Sequence, residues 1–115
     1  MGAIEANRTA LVIVDPQNDF LSDSEMLWDM VGPLVEKNGV VGKLKELIAG
    51  ANAGGVTVFY SPHYYDKEFK VWKNNIFVEN VMFERRMFDR DSAGSEFHSD
   101  LAPDDETVIY APTRT

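Results

Sequence analysis

Thr9-Ala10-Leu11-Val12-Ile13-Val14-Asp15-Pro16-Gln17-Asn18-Asp19-Phe20 is the stretch whose reading decides the fold. Its run Ala10 to Val14 is apolar, largely β-branched and without polar alternation. That pattern predicts a strand buried on both faces, in a parallel sheet covered by helices. Pro16 stops the strand, because proline has no N–H to give to a ladder. Asp15 therefore stands just past the carboxyl end of the strand, where open α/β sheets hold ligands and catalytic groups. The pattern leaves two readings of that carboxylate: a site residue, or a cap for the turn or helix that follows.

Downstream, Leu21 to Ser24 reads as a loop in which Ser22, Asp23 and Ser24 are all able to cap a helix. Glu25 to Met30 reads as a short turn, and Pro33 suits the first turn of a new helix. From Leu34 to Ala53 the residues Leu34, Val35, Val41, Leu44, Leu47, Ile48 and Ala51 recur mostly at three- and four-residue steps. One apolar helical stripe is expected, with Asn38-Gly39 as its breaking point and Gly54-Gly55 as a left-handed cap. Val56 to Tyr60 is a second strand, so strand, helix and strand form one right-handed crossover unit. Ser61-Pro62-His63 ends that strand at the same sheet edge as Asp15. Tyr64 to Pro103 has no clear period and is expected to be irregular, with one short helix over Val71 to Phe83. Thr107 to Tyr110 is the third strand.

Composition bounds the function. The chain has 115 residues, 44% of them hydrophobic, which suffices for the core of one small domain. A net charge of −8 and a pI near 4.6 argue against nucleic-acid and anionic-membrane partners. The sequence contains no cysteine, hence no disulfide and no thiolate zinc site. Met1 to Arg8 lacks an apolar signal core, and no run reaches membrane-spanning length, so a cytoplasmic protein is expected.

The stretch Val14-Asp15-Pro16-Gln17-Asn18-Asp19-Phe20-Leu21 resembles the first signature of the isochorismatase-like cysteine hydrolases, which include nicotinamidases and N-carbamoylsarcosine amidases. That signature is an apolar strand followed by Asp-x-Gln-Asn-Asp-Phe. Asp15, Gln17, Asn18, Asp19 and Phe20 match it, with Pro16 at the variable position. Ala53-Gly54-Gly55-Val56-Thr57-Val58 is similar to the family's helix-to-strand connection. Gly94 and Glu96-Phe97-His98-Ser99-Asp100 resemble the run ahead of its third strand. The resemblance implies an α/β, Rossmann-like three-layer sandwich with a parallel central sheet. Residues 1–115 would be the N-terminal part of one such domain, incomplete in this chain.

What the family's mechanism needs is a cysteine that attacks a carbonyl, an aspartate that takes the thiol proton and a lysine that supports the charge. Asp15 matches the aspartate. Neither Tyr110 nor Ala111, where the lysine is expected, is a lysine, and Arg114 is the nearest cation. The resemblance thus implies hydrolysis of an amide, imide or vinyl-ether bond in a small metabolite, with this chain inactive alone. Phe20, Trp28 and His63 are the expected substrate-binding residues. In nicotinamidase-like members an Asp-x-His cluster after the second strand binds a divalent metal. Ser61 stands here at the position of that Asp, so no metal or other cofactor is assigned to His63 or His98. Two other readings stay open: a catalytically dead binding or assembly module that forms homo-oligomers through its open sheet, and an aspartyl-phosphate enzyme with Asp15 as nucleophile. The second suits the sequence less, since such enzymes carry Asp-x-Asp after the strand and the next acid here is Asp19.

Overall fold

A computed structural model describes residues 3–22, 28–64, 77, 80, 84–86, 88–89 and 92–110. Three parallel strands, β1 (Ala10–Val14), β2 (Thr57–Ser61) and β3 (Val108–Ile109), form an open sheet in the order β1-β2-β3. The register pairs Ala10 with Thr57 and Val14 with Ser61, so the carboxyl ends of β1 and β2 finish level. Phe59 and Tyr60 then pair with Val108 and Ile109. The first strand has the predicted bounds. The second begins one residue later than the hydrophobic run suggests, because Val56 still belongs to the helix cap before it.

The apolar stretch between β1 and β2 forms two helices, α1 (Trp28–Asn38) and α2 (Val40–Ala53). Gly39 separates them with φ 59°, a left-handed conformation that glycine adopts without a Cβ penalty. The break takes Leu34 out of phase with the second helix, and Leu34 is exposed rather than part of a common stripe. Leu44, Ile48 and Ala51 form the stripe of α2 that packs on the sheet, and Leu47, about a quarter-turn away, is also exposed. Pro33 lies inside α1, not in its first turn as the sequence suggests. At the far end of α2, the Val56 N–H donates to the Ala51 carbonyl (2.8 Å) and the Gly55 N–H to that of Asn52 (3.3 Å). With Gly55 at φ 78°, these two bonds make a Schellman cap.

The core is Ile13, Val58 and Tyr60, one face of the sheet, with Leu11, Leu44, Ile48, Ala51 and Phe97 packed against it. The Tyr60 hydroxyl donates to the Leu101 carbonyl (2.9 Å), and its ring meets Phe97 edge-on at 5.3 Å. Residues of opposite parity in β1 point the other way. Val12 is 53% and Val14 65% exposed, which corrects the expectation of a strand buried on both faces. The reason is that the packed residues of the core cover one face of the sheet, that of Ile13, Val58 and Tyr60, and Val12 and Val14 lie on the other. As an edge strand among the described residues, β1 also leaves its outer backbone rim unpaired. The helix expected over Val71 to Phe83 falls mostly outside the described residues.

Candidate active site

Asp15 is held at the rim by three features of its backbone. Its N–H donates to the Ser61 carbonyl (3.1 Å), which carries the β1–β2 ladder one step past the strand. Its own carbonyl accepts from the Gln17 N–H (2.7 Å), a three-residue turn centred on Pro16, whose fixed φ suits it. Its φ is 54°, a conformation in which aspartate is tolerated but strained, and such strain clusters at functional sites. The side chain is half-buried. Loss of water there raises the carboxyl pKa above its ordinary 3.8, and the nearby His63 opposes that rise.

His63 lies two residues past the end of β2, beside Asp15 because the two strand ends are level. Burial lowers the imidazole pKa below its ordinary 6.5, against the opposite pull of the Asp15 charge. Each group's burial thus works against its charged form, and each supports the charge of the other. The ring of Phe88 meets His63 edge-on at 5.3 Å and Phe20 at 4.9 Å. Phe20 and His63 are thereby joined through one fully buried aromatic, itself at φ 56°.

The polar residues of the motif do something else. Gln17 is 0% exposed, and its Nε2 donates to the carbonyls of His63 (2.8 Å) and Ser95 (2.7 Å). Its Oε1 accepts from the His63 N–H (2.7 Å). Asn18 donates from Nδ2 to the Ala93 carbonyl (2.9 Å) and from its backbone to Glu96 (2.9 Å). Asp19, 2% exposed, accepts from the Phe88 N–H (2.6 Å) and lies against Gly94. Backbone bonding from the His98 N–H to the Pro16 carbonyl (3.0 Å) completes the seam. Gln17, Asn18 and Asp19 therefore tie the end of β1 to the end of β2, to Phe88 and to residues 93–96. Sequence reasoning assigned these three no role. No local signal marks that role, because polar residues in a turn ordinarily face water.

Not every expected site residue meets the others. Trp28 lies across Gly32, which has no room for a Cβ beneath the indole. It lines a cavity of about 400 Å³ with Leu21, Val35 and His98, and Asp15, Phe20 and His63 are not among its walls. The Nδ1 of His98 accepts from the Asp100 N–H (3.0 Å), capping the 3-10 turn Ser99–Leu101. Arg114 lies outside the described residues. Arg85 and Arg86 form ion pairs with Asp29 (3.7 Å) and Asp89 (3.0 Å), the surface role their acidic surroundings suggest. Among the described residues no cluster of three or more His, Cys, Asp or Glu is arranged to hold a metal. No described helix is long and apolar enough to cross a membrane.

An isochorismatase domain profile matches residues 9–114. The chain belongs to the isochorismatase family. Its fold is shared with solved structures: a cysteine hydrolase from Pseudomonas syringae pv. phaseolicola 1448A superposes with a TM-score of 0.70 at 22% identity, over 95% of this chain and 48% of that one. An isochorismatase family protein from Desulfovibrio vulgaris subsp. vulgaris str. Hildenborough superposes with a TM-score of 0.68 at 23% identity, over 92% of this chain and 53% of that one. The chain thus spans about half the length of these two relatives. No curated protein matches the sequence.

Proposed function

We propose that this chain is the aspartate-bearing part of an isochorismatase-like hydrolase acting on an amide, imide or vinyl-ether bond of a small metabolite. Asp15 is its proton-transfer residue. The observation that carries the reading is a strained, half-buried carboxyl at the carboxyl end of β1, with a raised pKa and an imidazole beside it. Toward a thiol nucleophile the ionised carboxylate is the base: it takes the S–H proton, and the thiolate attacks the substrate carbonyl. Toward a vinyl ether the protonated carboxyl is the acid, giving its proton to the double bond. Water adds to the resulting oxocarbenium carbon and loses a proton, and the hemiketal breaks its C–O bond to release an alcohol and a carbonyl product. Phe20 and His63, joined through Phe88, are the chain's substrate-binding residues. Trp28 lines a separate cavity, and no contact supports a substrate-binding role for it at Asp15.

The 115 residues contain no cysteine. In this reading the thiol comes from polypeptide outside them, and the chain alone does not turn substrate over by the thiol route. The test is hydrolysis of a panel of small amides, imides and vinyl ethers by the chain alone and by the chain joined to the remaining half of a family fold. Activity in the joined protein, lost on Asp15→Asn, supports the proposal. Equal activity after that substitution contradicts it.

A second reading, a binding or assembly module that forms homo-oligomers, is favoured by one observation. The outward side chains of β1, Val12 and Val14, are exposed on an edge strand.

A further inference from the structure

We propose that Gln17 is a positioning residue whose side-chain carboxamide fixes His63 beside Asp15 and makes the two strand ends one unit. The inference rests on the reading of Asp15 and His63 as site residues. A carboxamide offers two donors and two acceptor positions. Gln17 spends one donor and one acceptor on the same residue: Nε2 to the His63 carbonyl at 2.8 Å, and the His63 N–H to Oε1 at 2.7 Å. That two-way exchange is what a neighbouring strand gives within a ladder. Ser61 is the last ladder-paired residue of β2, so Gln17 extends the pairing across the gap with a side chain. The second donor goes to the Ser95 carbonyl (2.7 Å), which fixes the carboxamide from the far side.

The consequence concerns direction. With both backbone polar groups of His63 clamped, its Cα–Cβ bond has one orientation, and only the side-chain torsions remain. The ring of Phe88, edge-on at 5.3 Å, restricts those. Gln17 is only two residues from Asp15, and the tight turn at Pro16 fixes their mutual placement. A shift of the carboxamide would therefore move the imidazole relative to the carboxylate. Among the described groups that meet His63, Asp15 bears charge, whereas Gln17 and Phe88 are neutral. A buried residue that only satisfied hydrogen bonds would affect stability and leave the Asp15–His63 interaction as it is.

The chain has two histidines, so imidazole NMR titration of the whole chain gives two curves, and His98→Gln identifies which belongs to His63. Asp15→Asn is expected to lower the His63 midpoint, because a negative neighbour is removed. In a Gln17→Met background the same substitution is expected to move it by less than half as much. An equal shift in both backgrounds overturns the role of Gln17 and leaves the site reading standing. No shift in the unsubstituted background overturns the site reading itself, and this inference with it. Where Gln17→Met does not fold, hydrogen exchange on the unsubstituted chain decides. The His63 N–H is expected to exchange on the order of 10²-fold or more slower than an open amide. Exchange at the open rate overturns the clamp.

Discussion

Gly94 lies against the carboxylate of Asp19 with no room between them for a β-carbon. The contact explains why a glycine stands ahead of the third strand. The carboxylate must reach the Phe88 N–H at 2.6 Å, and the 93–95 turn must close over it. Gly94→Ala forces one of these to give way. It is expected to cost about 1–3 kcal/mol, the usual range for overpacking a filled site, and to lower Tm by several degrees. An unchanged Tm would mean that the seam between Asp19 and the 93–95 turn is loose.

Two other glycines make a contrast that tests the helix assignments. Gly55 has φ 78° at the end of α2, whereas Gly50 lies within the helix with nothing near its absent Cβ. Gly55→Ala is expected to destabilise by about 1 kcal/mol. Gly50→Ala is expected to stabilise by up to about 1 kcal/mol. Urea denaturation of both variants reads the two signs, and equal signs would contradict the cap.

The two site groups give stability opposite pH dependences. His63 has a folded pKa below its ordinary 6.5, so the unfolded chain binds the proton more tightly. Its contribution is complete above about 6.5 and is lost as pH falls through the folded value. Asp15 has a folded pKa above its ordinary 3.8. Its contribution is complete below about 3.9 and is lost as pH rises through the folded value. His63→Gln should therefore flatten the fall in the urea midpoint just below pH 6.5. Asp15→Asn should remove the opposing slope above pH 4. A midpoint that falls as steeply in His63→Gln as in the unsubstituted chain would contradict the burial of the imidazole.

The outward side of β1 predicts association. Val12→Lys and Val14→Lys place charges on an exposed edge strand, a standard guard against edge-to-edge pairing. Sedimentation of the chain is expected to show self-association that these substitutions reduce, with Tm nearly unchanged because neither side chain is in the core. A monomeric chain at high concentration would remove the assembly reading.

Much of this architecture was legible in the sequence. The uninterrupted run Ala10 to Val14 carried β1 and its parallel pairing, and the Gly54-Gly55 pair carried the end of α2. Asp15 and His63 could be placed at one edge because both follow directly on a strand. The exposure of Val12 and Val14 was not legible, because an apolar run states a preference for burial and not which neighbour provides it. The clamp by Gln17 was hidden for a similar reason. A polar residue in a turn reads as solvated until the 95 carbonyl and the His63 backbone, 78 and 46 residues away, are brought to it. Phe88 sits in a stretch without period, so only tertiary contact shows that it joins Phe20 to His63.

Two carboxylates four residues apart in sequence divide the labour, with Asp15 for chemistry and Asp19 for structure. This division is tested by kcat/KM and Tm measured together on Asp15→Asn and Asp19→Asn, in an active protein containing this chain. Asp15→Asn is expected to lower kcat/KM by about 10²–10⁴-fold, the usual worth of a positioned proton-transfer group, with Tm not reduced. Asp19→Asn is expected to lower Tm, since it weakens a buried charge-assisted bond worth about 1.5–3 kcal/mol. Full activity in Asp15→Asn, at any Tm, would contradict the account.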